Sequence, residues 1–142
     1  MKPLTQLLKQ LHNALRATIE EALAPAALTL SEASVLSDLS VVPGRSNAEL
    51  ARANFVTPQS MITLLKSLEM RRLVVRLPSP GGGRSMPAEL TPEGAKQLMA
   101  FRLAMRQVEH LLLRGLAPKD QKRLRELLEG CVEAMQSEHK ID

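Results

Sequence analysis

Two helix-start signals lie close together in the middle of the chain, and only a sharp turn fits between them. Ser46 and Glu49 have the spacing of a capping box, in which each side chain bonds to a free backbone N–H at the helix start. Thr57 and Pro58 begin the next helix, as a hydroxyl N-cap followed by proline at the first helical position. Residues 54–56 interrupt the helical pattern between the two signals. This part of the chain is therefore constrained to a helix, a tight turn and a second helix.

A glycine-tipped hairpin follows the second of these helices. Residues 74–77 predict a short strand, residues 78–83 contain two prolines and three glycines and predict a loop, and residues 86–90 predict the return strand. Helix, turn, helix and hairpin in this order are typical of a winged helix-turn-helix, whose second helix enters a groove of DNA. We therefore expect a DNA-binding lobe over residues 28–94, and we call its second helix the reading helix.

Long amphipathic helices are predicted on both sides of this lobe. Apolar residues recur at three- and four-residue steps from Leu4 to Ala22, and Pro25 stops the first helix. Thr29 and Glu32 form a second capping box, which begins the next helix. Two more apolar stripes follow the hairpin, one on each side of a break that contains glycine and proline. They are Ala95, Leu98, Phe101, Met105, Val108 and Leu112 in the first, and Leu124, Leu127, Leu128, Cys131, Val132 and Met135 in the second.

The predicted fold is mostly α (α+β), a single domain over residues 1–142 with six helices and a small β-hairpin wing. The helices of residues 1–24 and 95–142 are not needed for the lobe to fold, yet their apolar stripes require a covering surface. A second copy of the chain supplies such a surface, and a two-fold dimer places two reading helices about one turn of DNA apart, ~34 Å. We therefore expect a homodimer in which these terminal helices form the dimerisation region.

Composition excludes several classes of protein. A single cysteine excludes an intramolecular disulfide and a multi-cysteine zinc site, which favours the reducing cytoplasm. No apolar run approaches the ~18 residues of a membrane span. The three histidines are widely separated, and the sequence contains no nucleophile elbow, phosphate loop or carboxylate pair in a catalytic context. We therefore expect no enzyme, no metal site, no cofactor and no membrane contact.

The positive charge of the chain is concentrated on the predicted lobe. Residues 45–94 contain seven Lys or Arg against four Asp or Glu, whereas residues 1–44 contain three against four. An excess of positive charge fits a surface that binds phosphates. A mildly basic solvated face is the alternative, so the charge supports DNA binding without establishing it.

Four stretches of the chain resemble the MarR-type family of transcriptional regulators. They are residues 28–39 in the second helix, 47–51 in the first helix of the helix-turn-helix, 60–76 in the reading helix and its exit, and 90–94 in the return from the wing. The resemblance extends over nearly the whole chain. It implies a dimeric DNA-binding regulator, often a repressor that a small ligand or an oxidant relieves.

Two positions depart from the pattern of this family. Arg72 stands where the family usually has glycine after the reading helix, so either Arg72 adopts a left-handed conformation at a cost of ~1 kcal/mol or the helix ends differently. The wing keeps Arg84 but lacks the aspartate that the family usually places two residues before it. We therefore expect a more mobile wing.

Candidate DNA contacts lie on the reading helix, at helix starts and around the wing. Gln59 can bond to adenine in the major groove, and Lys66 fits a phosphate. Arg84, at the wing tip, is a candidate for insertion into the minor groove. Residues 57–68 contain no acidic side chain, unlike most solvated helix faces. The full set is Ser46, Asn47, Thr57, Gln59, Ser60, Thr63, Lys66, Arg71, Arg76 and Arg84. A structural ion pair is the alternative role for Arg76.

The sequence therefore predicts a homodimeric, sequence-specific transcriptional regulator in the cytoplasm. It is expected to be a repressor in preference to an activator. Its expected target is a palindromic operator in double-stranded DNA, from which a small ligand releases it. No motif assigns the ligand-binding residues. The chain has only two aromatic residues, and this scarcity argues against an effector held by stacking. Cys131 lies on an apolar stripe, where burial would make its thiol inert and disfavour a redox sensor. A winged-helix adaptor without a DNA role and an architectural protein without sequence preference stay open as alternatives.

Overall fold

The computed structural model describes residues 1–79, 81 and 86–138. Within these residues the chain forms six α-helices and one two-stranded antiparallel hairpin, which confirms the predicted fold class. The elements in chain order are α1 (Leu4–Leu23), α2 (Leu30–Val41), α3 (Asn47–Ala53), α4 (Pro58–Met70), β1 (Val74–Arg76), β2 (Ala88–Leu90), α5 (Pro92–Leu113) and α6 (Pro118–Glu138).

The helices begin at the residues that the local signals indicate. Both capping boxes form: the Thr29 hydroxyl accepts the backbone N–H of Glu32 at 3.1 Å, and Ser46 accepts that of Glu49 at 3.2 Å. In each box the glutamate carboxylate in turn accepts the backbone N–H of the capping residue. Thr57 caps α4, since its hydroxyl accepts the backbone N–H of Ser60 at 3.1 Å. These interactions are local, which explains why the sequence predicted them.

The chain divides into two compact units, Met1–Arg106 and Gln107–Asp142. The first unit contains the hydrophobic core, which α2, α3, α4 and the hairpin build together with Leu98 of α5. Its largest fully buried side chains are Val35, Leu36, Leu39, Leu50, Met61, Leu65 and Leu68. In the second unit, the described part of α6 has no buried residue. The core therefore lies around the helix-turn-helix.

The hairpin is shorter than the sequence predicts. Val74 pairs with Leu90, Val75 with Glu89 and Arg76 with Ala88, and regular pairing ends there. The Leu77 N–H still donates to the Pro87 carbonyl at 2.9 Å, but Pro87 has no N–H to return a bond, so the ladder does not continue.

Most apolar residues of the last stripe, and two of the stripe before it, are exposed in the single chain. Ala95 and Leu112 of α5 are exposed, so the chain itself does not cover this part of the predicted stripe. At the start of α5, the backbone of Gly94 packs closely against that of Leu73, because a Cβ added to Gly94 would lie 2.0 Å from the carbonyl oxygen of Leu73. Cys131 is also exposed in the single chain, so its predicted burial depends on the second copy and stays a prediction.

Candidate nucleic-acid interface

The reading helix α4 separates a buried face from a polar face. Met61, Leu65 and Leu68 are fully buried, and Leu64 is partly buried against the same core. The predicted contact residues on the other face are all exposed: Thr57, Gln59, Ser60, Thr63 and Lys66. The structure therefore brings these five predicted residues together on one solvent-facing surface.

Hydrogen bonds within α4 determine what this surface can offer to a ligand. The Thr57 hydroxyl donates to the Ser60 hydroxyl at 2.9 Å, and the Thr63 hydroxyl donates to the backbone carbonyl of Gln59 at 3.2 Å. Two hydroxyl protons are therefore used inside the helix, while the oxygens keep lone pairs that can accept. In the described part of the chain, the Ser60 hydroxyl, the Gln59 carboxamide and the Lys66 ammonium are not engaged as donors. These three groups are the donors that can reach base edges or phosphates.

The start of α3 presents a second polar cluster. Asn47 is half-buried, and its side-chain oxygen accepts from the Arg76 guanidinium at 2.9 Å, which leaves the two N–H groups of the carboxamide free to donate. Ser46 is also half-buried, and its backbone N–H donates to the Glu49 carboxylate at 2.8 Å. This bond lowers the pKa of Glu49, and the positive charges of Arg52 and Arg45 lower it further. The carboxylate therefore stays ionised within the basic surroundings of the helix start.

Arg76 lies between three elements of the first unit. Its guanidinium donates to the Met86 carbonyl at 2.8 Å as well as to Asn47, and the Glu69 carboxylate of α4 lies 3.9 Å away. The side chain is only 17% exposed. In this arrangement Arg76 links the wing to α3 and α4, so direct contact with DNA stays a prediction for this residue.

Arg71, which the sequence also suggested as a phosphate contact, bonds to Glu32 of α2 and to Ala27 in the segment before α2. One guanidinium nitrogen donates to the Glu32 carboxylate at 2.9 Å, and another donates to the carbonyl oxygen of Ala27. Sequence reasoning missed this pairing because 39 positions separate the two charged residues. The capping box of α2 was the available signal, since it fixes where the Glu32 carboxylate lies.

Arg72 adopts the left-handed conformation that the family usually gives to glycine, with φ of 58°. The N–H of Leu73 donates to the Leu68 carbonyl and that of Arg72 donates to the Glu69 carbonyl, both at 2.9 Å. These two bonds form a Schellman motif, which closes the C-terminus of α4. Of the two outcomes left open by the sequence, Arg72 therefore takes the strained one. Arg84 lies outside the described residues.

The second unit has an apolar hollow of about 430 Å³ between the end of α5 and α6. An ion pair between Arg125 and Glu109 lies at its edge. The apolar side chains of its wall are Leu112, Leu113, Leu124, Leu128 and Val132. Leu112, Leu128 and Val132 are at least 39% exposed in the single chain.

Other kinds of site are less well supported by the described residues. No described group of three His, Cys, Asp or Glu side chains has the geometry to hold a metal ion. In the same part of the chain, no helix is both long enough and apolar enough to cross a membrane.

Comparisons with known proteins agree with this geometry. The family model described as MarR family matches residues 28–85, which contain the whole helix-turn-helix. The HTH-type transcriptional repressor Rv2887 of Mycobacterium tuberculosis is 39% identical over 127 residues, covering 89% of this chain and 91% of the relative. The chain therefore belongs to the MarR family, whose members are non-enzymatic DNA-binding regulators.

Two solved structures of Rv2887 resemble the fold described above. Its complex with DNA has a TM-score of 0.76 at 34% identity, over 92% of this chain and 98% of that chain. Its complex with salicylic acid has a TM-score of 0.72 at 38% identity, over 92% and 97%.

Proposed function

We propose that this chain is a homodimeric transcriptional repressor that binds an inverted-repeat operator and is released from it by a small ligand. The observation that carries the proposal is the polar, acid-free surface of α4, whose opposite face is buried in the hydrophobic core. A similar repressor, Rv2887, has been seen in complex with DNA. Because the chromosome is the target, the protein acts in the cytoplasm.

Within this proposal, each group on the surface of α4 and α3 has a role set by its chemistry. Gln59 reads a base edge, because its carboxamide can donate and accept at once in the major groove. Ser60 and Thr63 add contacts to base edges or phosphates. Lys66 and Asn47 bond to phosphates, which fix the register of the protein without carrying sequence information. Thr57, Ser46 and Arg84 complete the proposed set, with Arg84 in the minor groove.

The exposed leucines of the terminal helices support the dimer. The large apolar side chains of α1 that are at least 42% exposed are Leu4, Leu7, Leu8 and Leu11, and the hollow beside α6 adds a further uncovered apolar surface. Monomeric proteins rarely leave such a series of large apolar residues in water. We therefore assign residues 28–94 to the DNA-binding lobe and residues 1–24 and 95–142 to the dimerisation region.

The effector that we propose is a small aromatic carboxylic acid. Support comes from the complex of Rv2887 with salicylic acid. Since this chain has only two phenylalanines and no other aromatic residue, aliphatic side chains would make most of the contact with the ring. For such a ligand to release the operator, it must bind the DNA-free arrangement more tightly, by ~1–3 kcal/mol for typical coupling.

Selection from a random duplex library at ~150 mM salt, followed by sequencing, tests the proposed function. The expected result is an enriched inverted repeat whose half-sites lie about ten base pairs apart. A folded protein that enriches no sequence, with or without salicylic acid, would contradict sequence-specific regulation. Steep salt dependence without a preferred site would favour the architectural alternative, and weak salt dependence would favour an adaptor.

Two variants of α4 then separate base reading from phosphate binding. Gln59→Ala is expected to reduce discrimination at one base pair of each half-site by ~1–3 kcal/mol. Lys66→Ala is expected to weaken all duplexes alike and to reduce the salt slope by about one unit. Equal losses on every sequence for Gln59→Ala, or a changed preferred sequence for Lys66→Ala, would contradict these roles. Both side chains are exposed, so neither variant is expected to change the fold.

A further inference from the structure

Glu32 is the one buried charged residue in the described part of the chain, and it lies in the core beside the reading helix. Its side chain is 9% exposed, and it accepts three hydrogen bonds. They come from the backbone N–H of Thr29 at 3.1 Å, the hydroxyl of Ser67 at 3.2 Å and the guanidinium of Arg71 at 2.9 Å. Two of the three donors belong to the C-terminal end of the reading helix.

Within α2, the capping box fixes the position of this carboxylate through bonds that do not involve the reading helix. The capping box with Thr29 holds Glu32 in the first turn of α2, and the core residues Val35, Leu36 and Leu39 anchor that helix. Arg71 also donates to the carbonyl oxygen of Ala27, just before α2. The start of α2 therefore provides a rigid set of acceptors.

Ser67 and Arg71 are four positions apart, so they lie on the same side of the helix, one turn from each other. Two directional hydrogen bonds to one carboxylate restrict the rotation of a helix about its axis and its shift along that axis. The packing of leucine side chains alone restricts these two motions less. A rotation of about 20° displaces side-chain ends ~5 Å from the helix axis by ~2 Å, which is enough to break a hydrogen bond. Base reading by Gln59 therefore depends on a correctly oriented helix.

We propose that Glu32 is a positioning residue for DNA recognition, which orients the reading helix through Ser67 and Arg71. The inference rests on the function proposed above, because it concerns the accuracy of operator reading. Buried ion pairs contribute little net stability compared with well-packed apolar residues. The role that we assign to the pair of Glu32 and Arg71 is therefore to specify one orientation of the reading helix. Arg71 then acts through Glu32 and not by contact with a phosphate.

The test measures binding to the selected operator and to a scrambled duplex of the same length and composition. Glu32→Gln, Arg71→Gln and the double variant are compared with wild type, and unfolding curves verify that each is folded. We expect the preference for the operator to fall about tenfold in each single variant, with no further loss in the double variant, because coupled residues are not additive. Binding to the scrambled duplex and the salt slope are expected to stay unchanged.

Two further variants control the interpretation. Glu20→Gln removes the same charge from an exposed ion pair in α1 and is expected to leave the operator preference unchanged. Ser67→Ala removes a single bond and is expected to lower the preference about threefold, but to add nothing in the Glu32→Gln background. Ser67→Ala alone decides the matter if Glu32→Gln does not fold.

Three results would overturn the inference. Glu32→Gln or Ser67→Ala with full operator preference would show that the carboxylate does not position the helix. A lower salt slope for Arg71→Gln, with additive losses in the double variant, would show that Arg71 contacts a phosphate directly. Wild-type protein that prefers no duplex would remove the proposed function together with this inference, whereas the first two results leave the proposed function intact.

Discussion

The reading helix α4 and the terminal helix α6 are both amphipathic, but only α4 has its apolar side covered by the chain itself. α4 has 13 residues and buries Met61, Leu65 and Leu68 completely. α6 has 21 residues, yet none of its described residues is buried, and Leu127, Leu128 and Val132 are all at least 41% exposed. The lobe therefore has its core within one copy, whereas the described chain leaves the apolar side of α6 uncovered, as the proposed dimer requires.

The strongest test of this contrast is a charge placed on the apolar side of α6. Leu128→Asp would bury two carboxylates in each dimer, and since burying one unpaired ion costs several kcal/mol, we expect dissociation into monomers. Sedimentation equilibrium measures the mass, with one chain contributing 15.6 kDa. Operator binding is expected to be lost with the dimer. Arg123→Gln changes the charge equally outside the apolar stripe and is the matched control; a dimeric Leu128→Asp would contradict the assignment of α6 to the interface.

A cavity in the lobe is expected to have the next largest effect. Leu65→Ala removes a fully buried side chain from the face of α4 that packs on the core, and such substitutions cost ~2–5 kcal/mol of unfolding free energy. Chemical denaturation at fixed protein concentration measures the loss. Leu103→Ala, at a residue that is 53% exposed in the single chain, is the comparison. An equal or larger loss for Leu103→Ala would contradict a core centred on the helix-turn-helix.

The junction between the hairpin and α5 is expected to tolerate no extra atom. Gly94→Ala would place a Cβ 2.0 Å from the Leu73 carbonyl oxygen, so the backbone must shift, and we expect a loss of ~1–3 kcal/mol. Gly130→Ala is the matched control, because nothing lies within 4 Å of its added Cβ. There the same change should stabilise the helix by ~0.5–1 kcal/mol. Thermal unfolding reports both; effects of the same sign would contradict this difference between the two sites.

The end of the reading helix is expected to show the smallest effect. Arg72→Gly removes a side chain from a left-handed position, and the relief of strain is ~1 kcal/mol. The melting temperature should therefore rise by a few degrees. Arg52→Gly, at a right-handed helical position in α3, should lower it instead. A lower melting temperature for Arg72→Gly would show that Arg72 makes a stabilising interaction that exceeds the strain.

Local features of this fold were predictable from the sequence, and non-local features were not. The capping residues Thr29, Ser46 and Thr57 form the expected bonds because each partner lies three positions away. The buried face of α4 followed from helical periodicity. The pairing of Arg71 with Glu32 depends on how two distant segments pack, and no spacing rule encodes it.

The same reason limits what the sequence indicates about the terminal helices. Periodicity indicated that Cys131 lies on an apolar stripe, but it does not show whether the same chain covers that stripe. Arg76 was predicted as a DNA contact from its position next to the wing, whereas its bond to Asn47 joins residues that are 29 positions apart. The sequence therefore predicted the elements and their faces, whereas the partners of charged side chains required the structure.

In the proposed dimer, the terminal helices join two DNA-binding lobes at a fixed spacing, so that two copies of α4 read one operator together. The most direct measurement compares the affinity for the selected operator with that for the same duplex carrying five extra base pairs between its half-sites. Five base pairs turn the second half-site to the opposite side of the DNA, since one turn takes 10–10.5 base pairs. We predict that the affinity falls to that of a single half-site; an unchanged affinity would show that each lobe binds DNA on its own and would contradict the account.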